Sequence, residues 1–268
     1  MGARNGDTQQ GIQSIEVGGR LLEALAAQPQ PLMLRDLALA AGMPAAKAHR
    51  YLVSFARMGL VEQDDATGRY GLGPFALQLG LAGLARLDPY RLAQPALADL
   101  SAALDQTVAL AVWGNHGATI VRWLESSQPV TASLRTGAVM PLTRSATGRA
   151  FLAWLPAAQT AKLAREELAL NARSGLAPAS AEDLARLVEQ TRRHGIARAV
   201  GDMISGVSGL AAPVFDCNGT MVLALVSLGY SGAFDATWEG VIAVALRASA
   251  QKLSARLGFR GHASNQQT

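Results

Sequence analysis

Apolar positions divide the first part of the chain into short, differently phased runs. Ile15, Gly18, Leu21, Leu22 and Leu25 recur at helical spacing and predict a first helix, which Gln28-Pro29-Gln30-Pro31 ends. Leu34, Leu37, Ala38 and Ala41 fall at i, i+3, i+4 and i+7, the pattern of a short amphipathic helix, and Gly42 breaks it. Pro44 has no amide hydrogen to satisfy and suits the first turn of a following helix. On that helix Ala48, Tyr51, Leu52 and Phe55 make an inward stripe, whereas Lys47, Arg50, Ser54 and Arg57 face outward. Leu60 to Gln63 and Arg69 to Leu72 flank the polar turn Asp64 to Gly68 as a hairpin. Helix, glycine turn, helix and hairpin is the order of a winged helix-turn-helix, which predicts a domain over residues 11–73.

Pro74 to Arg86 is leucine-rich, with Phe75, Leu77, Leu79, Leu81 and Leu84, and is too apolar for a solvated linker. Residues 74–88 therefore read as a linker helix that pairs with its counterpart in a second subunit, the alternative being a helix folded onto its own domain. Asp88 and Pro89 read as the N-cap and first position of a helix reaching about Gln106, kinked at Pro95. The period then changes to that of strands. Thr107 to Trp113 and Thr119 to Glu125 predict a hairpin, with Ser127 to Gly137 as a third strand. Helices are expected at Ala146–Leu155, Ala157–Leu170 and Ser180–Arg193, the last closed by His194-Gly195. Leu210–Phe215 and Thr220–Leu228, joined by Asp216 to Gly219, predict a second hairpin whose strands are apolar on both faces, as a buried sheet requires. A final helix is expected over about Asp235–Leu257, between a polar start (Met1 to Gln10) and a polar tail. Helices flanking a mainly antiparallel sheet make residues 89–258 an α+β domain.

Charge changes the picture locally rather than globally. The net charge is +4, yet residues 1–84 carry seven basic and seven acidic side chains, so the case for nucleic acid rests on segregation. From Leu37 to Val61 there is no Asp or Glu, and nothing on the second helix would repel phosphate. Two core helices with a solvated charged face would be the plainer reading. It does not account for glycine turn, acid-free helix and hairpin falling together. The residues expected at double-stranded operator DNA are Arg35, Ala46, Lys47, His49, Arg50, Ser54 and Arg69.

With 268 residues, half of them hydrophobic and 16% charged, the chain can bury two cores. Cys217 is its only cysteine, which excludes an internal disulfide and a multi-cysteine zinc site. The N-terminus lacks an apolar signal core and no uncharged span of membrane length occurs, so a cytoplasmic protein with no membrane partner is expected.

Leu34 to Leu72 resembles the winged helix-turn-helix of the IclR family of bacterial transcription regulators. GIQSIEVGGRLLEAL resembles the family's first helix, GAVMPLTRSATGRAFLAWLP its effector-domain signature, and ISGVSGLAAPVFDCNGTMVLALVSLG its last strand pair. The resemblance spans about Gly11 to Leu257. It implies a GAF-like effector domain, a homodimer or dimer of dimers (a homotetramer), and a small-molecule effector bordered by Ser145, Ala146, Thr147 and Gly148. Amides at the start of that helix suit a carboxylate, although from chemistry alone Ser145 reads as an N-cap. Where family members bind small polar acids with hydroxyls, a carboxylate and a thiol, the corresponding positions here are Ala199, Gly209, Val226 and Leu228. That departure favours an aromatic or partly apolar organic acid. Trp113 and Met203 are further candidates for the wall, a core role being equally open to each. Ser227 is out of phase with Val226 and Leu228 and is expected to face away.

Enzyme readings fail on spacing. Gly206-Val207-Ser208-Gly209-Leu210 ends in leucine where a nucleophile elbow needs glycine. His49, His116, His194 and His262 lie in four elements and read as surface or DNA-facing residues, and no phosphate- or dinucleotide-binding loop is present. Neither a cofactor nor a metal is expected. The reading is a ligand-responsive repressor or activator of a catabolic or metabolic operon; the alternative is an architectural DNA-binding protein whose second domain only oligomerises.

Overall fold

In the computed structural model, residues 11–84, 86–127 and 134–261 are described. The chain divides into two compact units, Met1–Leu87 and Asp88–Thr268.

The first unit contains α1 (Gln13–Ala27), α2 (Leu34–Ala40), α3 (Ala45–Arg57), the strand pair β1 (Val61–Gln63) and β2 (Tyr70–Leu72), and α4 (Pro74–Leu84). Its core is Leu21, Leu25, Leu37, Ala38, Ala41, Ala48, Leu52, Val61 and Tyr70. Ile15 departs from the expected inward face of α1 and is 68% exposed; Gly18, Leu21 and Leu25 carry the contact. Between α2 and α3 the chain reverses at Gly42, whose φ of +64° is open to glycine without strain. Met43 N–H then bonds Ala38 O at 3.0 Å, closing the turn. Pro44 is the N-cap of α3 rather than its first residue, since its ψ of 141° is extended. On α4, Leu77, Leu79 and Leu81 are 63%, 53% and 56% exposed.

The second unit begins with α5 (Pro89–Leu104), capped by Asp88, whose carboxylate accepts from Arg91 N–H at 3.1 Å. The helix continues through Pro95 to Leu104. β3 (Thr107–Gly114) and β4 (Gly117–Leu124) form the expected hairpin. Of the predicted third strand, residues 128–133 lie outside the described residues; beyond them Val139 makes only an isolated bridge to Thr119. The terminal segments 1–10 and 262–268, with His262, also lie outside them. Three helices follow, α6 (Ala146–Trp154), α7 (Ala157–Ser174) and α8 (Ala181–His194), then β5 (Ala197–Val200), β6 (Val207–Phe215), β7 (Met221–Tyr230) and α9 (Val241–Arg256). α9 starts six residues later than the sequence pattern suggests, because Asp235 folds the preceding segment into a turn by accepting from Thr237 N–H (2.9 Å) and Oγ1 (2.6 Å). These bonds hold the Asp235 carboxyl below its ordinary range.

The five strands form one antiparallel sheet in the order β4-β3-β7-β6-β5. Alternate residues of each strand enter different cores. On one face Val108, Leu110, Leu210, Val214, Leu223 and Leu225 meet α5 and α9 residues such as Leu97 and Leu246. On the other, Ala109, Ala111, Ala197, Ala199, Ala211 and Ala224 meet α6 through Ala146, Ala150 and Phe151. Alanine is the commonest sheet residue on this second face, whereas leucine and valine fill most of the first.

Candidate functional site

On the first unit the exposed side of α3 presents Ala46, Lys47, His49, Arg50 and Ser54. Lys47 and Arg50 make no side-chain hydrogen bond or ion pair among the described residues. Ser54 Oγ donates to Arg50 O at 3.3 Å, leaving its lone pairs outward. Arg35 is exposed on α2. Arg69, at the foot of the wing, donates from Nη1 to Pro31 O at 3.1 Å, which aims a cation while anchoring its stem. The wing tip is ordered by Asp64, which accepts from Ala66 N–H (3.0 Å), Thr67 N–H (2.6 Å) and Thr67 Oγ1 (2.8 Å). The bond from Thr67 N–H is the main reason its carboxyl is held below the usual carboxylate range.

On the second unit a cavity opens beside the alanine-rich face of the sheet, with about 410 Å³ of unfilled space counting its mouth. The start of α6 supplies Ser145, Ala146 and Thr147; the sheet supplies Ala199, Gly209, Val226 and Leu228; the β5–β6 loop supplies Met203 and Ile204. Leu134, Met140, Val207 and Ser208 complete the lining, which contains no charged residue. Cross-strand register explains the grouping, for Val226 stands opposite Ala211 and Leu228 opposite Gly209. Ser227 points to the other core, where its hydroxyl donates to Thr107 O at 3.2 Å.

Two sequence candidates lie outside this lining. Trp113 is half-buried against Phe151, with ring centroids 5.8 Å apart. Gly148 has its N–H on Ser145 Oγ at 2.9 Å, and a Cβ there would fall 2.2 Å from Pro141 O. Part of the expected amide site is also already filled. Glu167 of α7 accepts from Leu142 N–H (2.8 Å), Thr143 N–H (2.9 Å) and Thr143 Oγ1 (2.9 Å), so one of the chain's own carboxylates sits where the sequence left room for a ligand's. The amides of Ala146 and Thr147, one turn on, take no acceptor among the described residues. Leu134, Met140, Ile204, Val207 and Ser208 were not legible as lining; the pair Met203-Ile204 between Gly201 and Gly206 was the available signal.

Arg149 is the residue that sequence patterning least reveals. It sits on α6 at 3% exposure, donating to Thr143 O (Nε, 2.9 Å) and Arg198 O (Nη1, 2.7 Å), and Nη1 lies 2.7 Å from Asp202 Oδ2. Burial pulls its pKa below the usual guanidinium value and Asp202 pushes it back up. His194, expected at the surface, is instead half-buried and stacked on Trp238 at 4.3 Å. Among the described residues no three or more His, Cys, Asp or Glu are placed to hold a metal, and no helix is long and apolar enough to cross a membrane.

A helix-turn-helix with a wing, followed by an α+β unit carrying an apolar cavity, is the architecture of a ligand-responsive DNA-binding protein. Sequence comparison agrees: the IclR helix-turn-helix domain matches residues 14–65, and the bacterial transcriptional regulator IclR C-terminal domain matches residues 82–255. The chain belongs to the IclR family of bacterial transcriptional regulators. It is 33% identical over 208 residues to the glycerol operon regulatory protein of Streptomyces coelicolor, covering 76% of this chain and 80% of that one. The crystal structure of Pseudomonas aeruginosa HmgR is 39% identical with a TM-score of 0.84, covering 93% of this chain and all of HmgR. A more distant fold match, 20% identical with a TM-score of 0.51 over 91% of this chain and 98% of the other, is an IclR homologue from Microbacterium hydrocarbonoxydans complexed with 4-hydroxybenzoate. The protein is thus an operon regulator that binds DNA through its N-terminal domain and a small-molecule effector through its C-terminal one.

Proposed function

We propose that residues 11–73 read a pseudo-palindromic operator, that α4 within the linker 74–88 pairs two subunits, and that residues 89–258 bind an aromatic carboxylic acid in the cavity beside α6. The observation that carries the effector class is the lining: thirteen residues, none charged, and most of them apolar. A two- or three-carbon acid has little apolar surface to set against such walls, whereas an aromatic ring removes them from water. Its carboxylate is placed against the amides of Ala146 and Thr147 and the Thr147 hydroxyl, where a helix start favours negative charge. The 4-hydroxybenzoate held by the Microbacterium homologue is of this class. Ser145, Ala146, Thr147, Met203, Gly209, Val226 and Leu228 are the contacts; Trp113 and Gly148 support them from behind. Action in the cytoplasm, where operator DNA lies, follows from this reading.

Calorimetric titration with 4-hydroxybenzoate and with pyruvate tests the class. Saturable binding of the aromatic acid alone is expected, and binding of pyruvate alone would overturn it. Val226→Ser should weaken the aromatic acid roughly fivefold to a hundredfold, because a hydroxyl desolvated without a partner costs about 1–3 kcal/mol. Ser227→Ala, on the opposite face, should leave the affinity unchanged.

Exposed Leu77 and Leu81, one turn apart on the same face of α4, support pairing through it, since a lone subunit would leave them in water. Leu77→Glu with Leu81→Glu, one turn apart, should give a smaller assembly by light scattering and weaker operator binding. Two-fold pairing sets half-sites about 10 base pairs, or a multiple, apart, which footprinting reads directly.

A further inference from the structure

Residues 201–206 join β5 to β6 and close one side of the cavity through Met203 and Ile204. Gly201 and Gly206 bound the segment with φ of +70° and +76°, and at each a Cβ would meet no atom within 4 Å. Packing therefore does not require glycine at either end; backbone freedom does. The backbone bonds of the segment lie at its neck. Gly201 N–H donates to Val207 O (2.9 Å), Val207 N–H to Ile204 O (3.1 Å), and Ser231 N–H to Gly206 O (2.9 Å). Met203 packs against the core beside the cavity, and among the described residues a single polar side-chain contact ties the segment to the rest of the unit, the Asp202 carboxylate on Arg149 at 2.7 Å.

The two partners are unequal. Arg149 is 3% exposed and fixed by Thr143 O, from the segment before α6, and Arg198 O, from β5. Asp202 is 34% exposed and sits on the segment between the glycines. If the segment swings out, the guanidinium keeps only two carbonyls and stays buried, so the open form is uphill. Arg198 and Arg144 add repulsion at the same point when the carboxylate leaves.

We propose that residues 201–206 are a hinged lid over the cavity and that the Arg149–Asp202 ion pair is its latch. An effector enters when the pair parts and is retained when it re-forms, so the latch sets residence time while Met203 and Ile204 set fit. The proposal rests on reading the cavity as the effector site. Its mechanical part is observable without any effector.

The test measures access to the cavity wall. In the full chain carrying Cys217→Ser, Met203→Cys places one thiol on the lid and Ala150→Cys, in a second protein, places one on the buried face of α6. Each is reacted with 5,5′-dithiobis(2-nitrobenzoate), with Asp202 intact or as Asp202→Asn. Removing the charge at constant size should raise the reaction rate of the thiol at 203 about tenfold and leave that at 150 unchanged, as expected for a partly exposed pair. An unchanged rate at 203, or equal increases at both positions, would overturn the latch, the second because it reports general loosening. Failure to bind 4-hydroxybenzoate counts against the effector class alone; the labelling rates count for or against the lid alone.

Discussion

Replacing Lys47 and Arg50 together with alanine is expected to weaken operator binding about a hundredfold at moderate salt, and to flatten its salt dependence by about two counterions. Both side chains lie on the exposed side of α3 without intramolecular partners, so their removal leaves the core of Leu37, Ala48 and Leu52 untouched. The first unit should therefore keep its fold, and the loss should fall on binding alone. Gel-shift titrations at two salt concentrations, on operator DNA recovered by selection, separate the roles. If Arg50 meets a base edge, Arg50→Ala alone relaxes preference at one position, whereas a phosphate contact lowers affinity evenly across sequences. Unchanged affinity and slope in the double variant would place the DNA on another face.

Gly148→Ala is expected to unfold the second unit or to destabilise it by several kcal/mol, beyond the roughly 1–3 kcal/mol of ordinary overpacking. The added Cβ would lie 2.2 Å from Pro141 O, 2.3 Å from Leu142 Cα and 2.7 Å from Leu142 C, all backbone atoms. They cannot retreat easily, because Leu142 and Thr143 are pinned by Glu167, and Thr143 Oγ1 also accepts from Asn171 Nδ2 at 3.0 Å. The four tryptophans, Trp113, Trp123, Trp154 and Trp238, all belong to the second unit, so intrinsic fluorescence reports on it alone. A urea titration of the variant followed by tryptophan emission should show a lowered midpoint or no native baseline. A midpoint equal to the parent's would mean that the helix start relaxes far more readily than its contacts imply.

What the sequence made legible was whatever has a period or a punctuating residue. Gly42 and Pro44 mark the α2–α3 turn, Asp88-Pro89 the start of α5 and His194-Gly195 the end of α8, because each residue type has a local backbone reason to be there. β5 was not legible. Ala197-Arg198-Ala199-Val200 is short and weakly apolar, and it becomes a strand by pairing with β6, a long-range fact. The strand phase that separates Val226 from Ser227 was readable from alternation, and with it one wall of the cavity. The rest of the lining was not, since Leu134 and Met140 reach it from irregular chain and Ser208 from the end of a strand. Least legible were the buried charges. That Glu167 would occupy Leu142 and Thr143, and Arg149 would bridge to Asp202, depends on helices far apart in sequence meeting at one segment.

The unequal faces of the sheet bear on how such a protein changes its ligand over generations. Leu110, Leu210, Leu223 and Leu225 hold the unit together on the α5–α9 side, where truncating a leucine to alanine costs about 2–5 kcal/mol. On the other face Ala199 and Gly209 line the cavity, and a Cβ at Gly209 would come no nearer than 3.5 Å to its neighbours, an ordinary contact. Drift among small residues on that side can reshape what the cavity accepts while the opposite face keeps the domain folded. A new effector is then a few tolerated substitutions away, and selection can search for it without first passing through unfolded intermediates.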